Sequence, residues 1–241
     1  MKILQWDIEA TQLDADMGFM VSFGWKMYGE RWPHAISIHK TTQWANDPTN
    51  DEGLVRQAVD ILSNADIWVT WYGARFDVPF VDSRLIVHAL PPLPPVPHID
   101  LWRIAKYQLK LTSNRLANVS EFLGLEEKTP LTKRIWTRAA SGHRGSLEYV
   151  AQHCRQDCEV LGQVYERLRP LAHAHPNLAL LIDEPKDGKP APTYCPICGA
   201  KDRMVYGRER ISRVSRIQLY QCRACGGWSQ GHPQREKIFV R

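Results

Sequence analysis

The sequence predicts an α/β protein, a mixed β-sheet flanked by helices, followed by a small C-terminal domain built around cysteines. Three observations carry that expectation. Strand-like segments open the chain, a helix and a further strand follow, and helical patterns then dominate as far as Leu168. Beyond a stretch rich in proline and charge the composition changes. Four of the six cysteines then fall in two tight pairs.

The first element is KILQWDIEAT. Its run from Lys2 to Ile8 reads as a buried strand, because Ile3, Leu4, Trp6 and Ile8 crowd it with apolar side chains. Strand side chains alternate faces, so Asp7 and Glu9 point the same way. Two carboxylates roughly 4 Å apart repel by about 4 kcal/mol at an effective dielectric of 20. Solvent, a proton, a basic partner or a divalent metal relieves that repulsion. Taken alone, a strand that simply ends in water is the better explanation of the pair, so the pair needs company elsewhere in the chain.

The segments MGFMVSFGWKMYG and HAISIHK read as two more strands, joined through the turn-like GERWP. LVRQAVDILSNA has helical spacing, and IWVTWYG is a continuously apolar strand ended by Gly73. Helical patterns follow in DVPFVDSRLIVHAL, LWRIAKYQLK, RLANVSEFLGL and SLEYVAQHCRQDCEVLGQVYERL. PPLPPVP is an extended connector, since proline fixes the backbone and removes donors. An antiparallel start followed by crossovers fits a mixed sheet.

With 241 residues and a 44% apolar composition, one large domain plus a small one is the natural division. We expect the first over residues 1–175, a linker over 176–192 that includes DEPKDGKPAP, and the second over 193–241. The net charge of +5 is uneven: Ala191 onward holds ten Lys/Arg against three Asp/Glu, and the remainder 21 against 23. A basic tail on an acidic body suggests a polyanion partner for the tail. No apolar run is long enough to span a bilayer, and no basic start leads into a long apolar stretch. The expectation is a soluble cytoplasmic protein without a membrane partner, in which paired cysteines bind metal rather than form disulfides.

Two further acidic clusters join the first. In WVTWYGARFDVPFV, Asp77 opens a helix with Pro79 in its first turn, a place where acids also serve as ordinary caps. In YVAQHCRQDCEVL, His153 precedes Asp157 by four residues and shares its helix face, beside an apolar stripe of Val150, Cys154, Cys158 and Leu161. Asp100, at the head of LWRIAKYQLK, reads as a helix cap, and Asp82 as a poorer match for a ligand. The tryptophans read as packing rather than base-stacking groups.

Asp-x-Glu on a first strand, Phe-Asp-x-Pro after a later strand and Asp on a late helix resemble the three motifs of the DEDD superfamily of 3′–5′ exonucleases. LWRIAKYQLKLTSNRLANVSEFLGL is similar to the matching stretch of family B polymerase proofreading domains. The resemblance implies a ribonuclease H-like fold and hydrolysis of terminal phosphodiester bonds of DNA, from single-stranded or frayed 3′ ends, to nucleoside monophosphates. It implies that Asp7, Glu9, Asp77 and Asp157 hold two Mg²⁺ or Mn²⁺ ions, with Asp7 between them, Glu9 and Asp157 on one and Asp77 on the other. The residue that orients the attacking water is Tyr-x3-Asp in one branch and His-x4-Asp in the other. This chain has His153-x3-Asp157, with Gln152 at the second branch's position, and His153 is the residue expected to take the proton. Tyr72 also departs, since relatives often carry asparagine before the glycine. The same chemistry on RNA is the first alternative, and a non-catalytic nucleic-acid-binding module the second.

CPIC and CRAC supply Cys195, Cys198, Cys222 and Cys225, whose spacing around the β-patterned MVYGRER and ISRVSRIQLYQC resembles a zinc ribbon with one structural Zn²⁺. Arg208, Arg210, Arg213, Arg216 and Arg223 lie between or beside the pairs as candidate phosphate contacts. A replication or repair protein is the ribbon's alternative partner.

Overall fold

The computed structural model describes residues 1–125, 130–182, 194–211 and 215–234, with 232–234 as backbone only. The chain divides into two compact units, Lys2–Arg167 and Leu168–Arg241, the latter joined by Met1. No helix among the described residues is long and apolar enough to cross a membrane.

The first unit is built on a five-stranded sheet in the order β3-β2-β1-β4-β5. Its strands are β1 (Ile3–Ala10), β2 (Met20–Met27), β3 (His34–Ser37), β4 (Ile67–Thr70) and β5 (His98–Asp100). β1, β2 and β3 pair antiparallel, whereas β4 and β5 run parallel to β1. Helices α1 (Thr42–Asn46) and α2 (Glu52–Ser63) make the crossover between β3 and β4. α3 (Asp77–Val87), α4 (Leu101–Gln108), α5 (Leu116–Phe122), α6 (Lys133–Ala140) and the 25-residue α7 (Arg144–Leu168) follow.

The alternation of β1 organises the unit. Leu4, Trp6, Ile8 and Ala10 enter the main apolar core with Phe23, Leu54, Val55 and Phe80. Gln5, Asp7 and Glu9 therefore share the opposite face. There α7 packs the fully buried Cys154, Cys158 and Leu161, whereas Val150, at the start of the same stripe, joins the main core. Close approach of helix to sheet requires Gly24, which pairs with Asp7 in the β1–β2 ladder. A Cβ at that position would lie 2.8 Å from both the carbonyl oxygen and the Sγ of Cys154.

A buried ion cluster fixes α3 against β2 and the start of α2. Asp51 is 0% exposed; it accepts the Met20 N–H at 2.8 Å and two Arg84 donors at 2.7 and 2.9 Å, with His88 Nε2 at 2.6 Å. Two buried charges are stabilising only when paired and hydrogen-bonded in this way.

β5, α1 and α6 were not legible as separate elements. β5 spans three residues directly after the proline run, too short for any alternation to show.

The second unit carries an antiparallel sheet in the order β6-β7-β8, with β6 (Met204–Ile211), β7 (Arg216–Cys222) and β8 (Trp228–Gln234). The β-patterned segment predicted two arms; β8 adds a third. Of the expected linker, residues 183–192 lie outside the described residues. Residues 176–182 contain a single turn of 3₁₀ helix, Leu178–Leu181, and the buried Leu178 donates its N–H to the Pro196 carbonyl at 2.8 Å.

Candidate functional site

The acids of the first unit arrive from three elements. β1 brings Asp7 and Glu9 to the face covered by α7. α7 supplies His153 and Asp157, one helical turn apart, with Nε2 and Oδ2 separated by 3.9 Å. Ligand atoms of Glu9, His153 and Asp157 all lie within 4.8 Å of one another. Asp157 is 9% exposed, and Nδ1 of His153 is buried without a hydrogen-bond partner among the described residues.

Asp7 and Asp77 stand outside that set of three. Oδ2 of Asp7 is 3.5 Å from Sγ of Cys154. Burial drives the Cys154 thiol pKa well upward, reinforced by Asp7 and other nearby acids, so the sulfur stays protonated. Asp77 does not cap α3, whose N-cap is Phe76. Instead its Oδ1 accepts the N–H of Ile8 at 3.1 Å, which ties the head of α3 to the strand between the two acids of β1.

Asp77 is 2% exposed, and its pKa is raised to about 7. Burial is the main cause; the N–H groups of Ile8 and of Asp77 itself oppose it, and the charges of Asp100 and Asp157 add to it. Carboxylates gathered at low exposure, one of them pushed this far, are the donor set that hard divalent cations neutralise, and oxygen ligands suit magnesium or manganese. The residues present fit such ions.

Asp100 does more than cap α4 through the Trp102 N–H at 3.1 Å. It also accepts the N–H of Tyr72 at 2.9 Å and of Ala74 at 3.3 Å, holding the turn that delivers Asp77. Tyr72 there has φ +68°, a left-handed backbone that asparagine adopts far more readily than tyrosine. Gly73 has no alternative, since a Cβ would fall 2.3 Å from Thr70 Oγ1. Neither this role of Asp100 nor the Asp51 cluster was read from the sequence; their partners lie 26 to 37 residues away in the chain. Asp82 and Gln152 face solvent, and Tyr149 donates its hydroxyl to Pro130.

The dependence on Gly24 yields a test. Gly24→Ala is expected to destabilise the protein by about 1–3 kcal/mol, the usual penalty of overpacking, and to lower hydrolysis by moving α7 off β1. Thermal melts and single-turnover rates check it; an unchanged rate would show that helix and strand need not approach so closely.

In the second unit the four cysteines converge, with sulfurs within 4.8 Å of one another. Cys195 and Cys225 are 3.9 Å apart, Cys198 and Cys222 3.8 Å, and none is in a disulfide. Four thiolates at about 2.3 Å from a tetrahedral zinc lie roughly 3.8 Å from each other, so the donor set fits that ion. Both Cys-x2-Cys turns are closed by glycines at positive φ, Gly199 at +71° and Gly226 at +75°. Backbone N–H groups of Ile197 and Ala224 reach the sulfurs of Cys195 and Cys222 at 3.4 Å. Burial raises the thiol pKa of Cys195, Cys198 and Cys225; at Cys222 burial is outweighed by such donors and the pKa falls.

Arg208, Arg210 and Arg223 are exposed, Arg210 reaching Gln230 Oε1 at 2.9 Å. Arg216 lies 3.5 Å from Glu209. Arg213 lies outside the described residues. Tyr206 and Trp228 are 79% and 47% exposed, so packing alone does not account for Trp228, unlike the buried Trp6, Trp44 and Trp68.

No curated protein matches this sequence. Among solved structures, the fold is similar to the family B DNA polymerase from the hyperthermophilic archaeon Pyrobaculum calidifontis, with a TM-score of 0.56 and 13% identity. That likeness covers 91% of this chain but only 34% of the polymerase. The model of the RNase_H superfamily matches residues 4–169, which include β1, Asp77 and the α7 pair. With the mixed five-stranded sheet and most of the chain inside that match, the protein belongs to the RNase H superfamily.

Proposed function

We propose that this protein is a metal-dependent 3′–5′ exonuclease that hydrolyses terminal phosphodiester bonds of DNA to nucleoside monophosphates. Membership of a superfamily of nucleases supports hydrolysis of nucleic acid. The observation that carries the finer reading is the convergence of Glu9, His153 and Asp157, with Asp77 locked to the strand between Asp7 and Glu9. Asp7, Glu9, Asp77 and Asp157 would hold two magnesium or manganese ions, which supply an activated water at neutral pH and charge stabilisation for the departing 3′ oxygen.

The chain's own groups do the rest. His153 takes the water's proton at Nε2, the nitrogen turned toward Asp157, and the carboxylates of Asp157 and Glu9 stabilise the imidazolium that forms. Cys154, held neutral by burial, gives Asp7 a soft neighbour that adds no charge. Asp100 and the 72–74 turn keep Asp77 in place.

The four cysteines hold a structural zinc, and the ribbon binds substrate beyond the cleavage site. Exposed Tyr206 and Trp228 offer surfaces on which bases stack, and the arginines contact phosphates.

A time course on end-labelled single-stranded DNA with Mg²⁺ or Mn²⁺ tests the whole reading. Mononucleotides released from the 3′ end are expected. Internal cuts or 5′ polarity would overturn it, and faster digestion of a matched RNA strand would move the substrate to RNA. His153→Ala is expected to lower kcat by roughly a hundredfold with KM little changed. A full rate in that variant would remove His153 from proton transfer.

A further inference from the structure

The turn that delivers Asp77 carries a tyrosine in a conformation that tyrosine avoids. Tyr72 has φ +68°, and for a bulky side chain that left-handed backbone is an outlier. Such strain persists only where the surroundings over-determine it, and it gathers at active sites and ligand clamps. The surroundings here do over-determine it. Asp100, only 7% exposed, accepts the N–H groups of Tyr72 and Ala74, and the Tyr72 carbonyl accepts those of Arg75 and Phe76 at 3.0 and 3.2 Å.

Packing within the protein gives the tyrosine little in return. Its ring lies edge to face with Trp102, the centroids 4.9 Å apart and the planes at 72°. An aromatic pair of that kind and a left-handed tyrosine backbone are of similar size and opposite sign, so stability alone gives no reason for tyrosine here. The residue is 39% exposed, which leaves ring surface open to solvent. It is open beside the acids: Gly73, the next residue, accepts the N–H of Val78 at 2.9 Å, so the turn sits on the two neighbours of Asp77, Phe76 and Val78.

We propose that Tyr72 is a stacking platform for one unpaired base of the strand held in the cleavage site, with Trp102 bracing its ring. Every base has a π-face, so an aromatic platform tolerates any sequence. It does require a base that is out of the duplex stack, and so it favours a single-stranded or frayed end over a paired one. The proposal rests on the nuclease reading above and adds to it the residue that selects unpaired substrate.

End-labelled oligothymidylate, and the same strand with an abasic nucleotide at each position near the 3′ end in turn, test it on the full chain. Tyr72→Asn suits the left-handed turn and removes the ring. It is expected to raise KM about tenfold, with kcat little changed and a melting temperature no lower than that of the natural protein. Tyr72→Phe, which keeps the ring, should keep the natural KM. One abasic position should raise the natural protein's KM as much, and on that strand Tyr72→Asn should lose nothing further. An unchanged KM in Tyr72→Asn, a Tyr72→Phe that behaves like it, or the same Tyr72→Asn penalty on every abasic strand would overturn the proposal. So would a melting temperature that falls together with affinity, which would make the ring a packing group. Fluorescence anisotropy of the same strands, with Ca²⁺ in place of Mg²⁺, separates this proposal from the nuclease reading. Binding that depends on the ring in a protein that cuts nothing would sink the nuclease reading alone. Cleavage and binding indifferent to the ring, or no binding at all, would sink the platform.

Discussion

Replacing Asp77 by asparagine is expected to lower phosphodiester cleavage roughly a thousandfold or more, the scale on which losing one preorganised charged group acts. The same change should make the metal-free protein more stable at pH 8. Burial and neighbouring charges hold this carboxyl near 7, above its ordinary value of 3.8. Between those two values the folded chain binds more protons than the unfolded one, so stability falls as pH rises through the window and levels off beyond about 7. Asparagine keeps an oxygen for the Ile8 N–H but never ionises. Melting profiles of the two proteins should therefore run close below pH 4 and separate by pH 8. Mn²⁺ should then stabilise the natural protein at pH 8 far more than the variant. Parallel profiles would mean that Asp77 is already neutralised by the protein itself. Undiminished cleavage would place the chemistry elsewhere. Asp7→Ala is the companion variant, for which loss of cleavage with an unchanged fold is expected.

Stripping zinc from the ribbon is the second large effect. The second unit's buried cysteine cluster is small, with Ile197 as its buried non-cysteine member among the described residues. Under the proposed zinc ligation, the metal is expected to supply most of that unit's folding energy, on the order of 10 kcal/mol. A chelator, or Cys198→Ser with Cys225→Ser, is expected to abolish its β-sheet signal. Cleavage of short substrates should persist, since every proposed catalytic group lies between Asp7 and Asp157. Affinity for longer strands should drop, and the salt dependence of binding should flatten by about 0.7 for each phosphate no longer bound, the value for single strands. Acid should release the zinc as well, because burial raises three of the four thiol pKa values and protons compete for the sulfurs. A ribbon that stays folded without metal would refute the structural role. An unchanged salt slope would turn attention to a protein partner.

Much of the site is legible in the amino-acid order itself. The period of two in KILQWDIEAT puts Asp7 and Glu9 on one face, and the helical period of SLEYVAQHCRQDCEVL puts His153 over Asp157 beside the apolar stripe. Cys-x2-Cys spacing is equally plain, because its ligands come from single turns. What is not legible has a common character. The Asp51–Arg84–His88 cluster joins groups up to 37 residues apart. Asp100 reads locally as a cap and also serves a turn 26 to 28 residues earlier.

Sequence alone determined which side chains each strand and helix would turn toward the same side, because backbone geometry repeats every 2 or 3.6 residues regardless of what lies beyond. Only the tertiary structure decided which of those faces meet and how closely. It set Glu9 against His153 and Asp157, turned Asp7 to Cys154, and pressed α7 onto β1 at Gly24. Such contacts follow from packing between elements distant in the chain, where burial and excluded volume act through space and leave no local period to read.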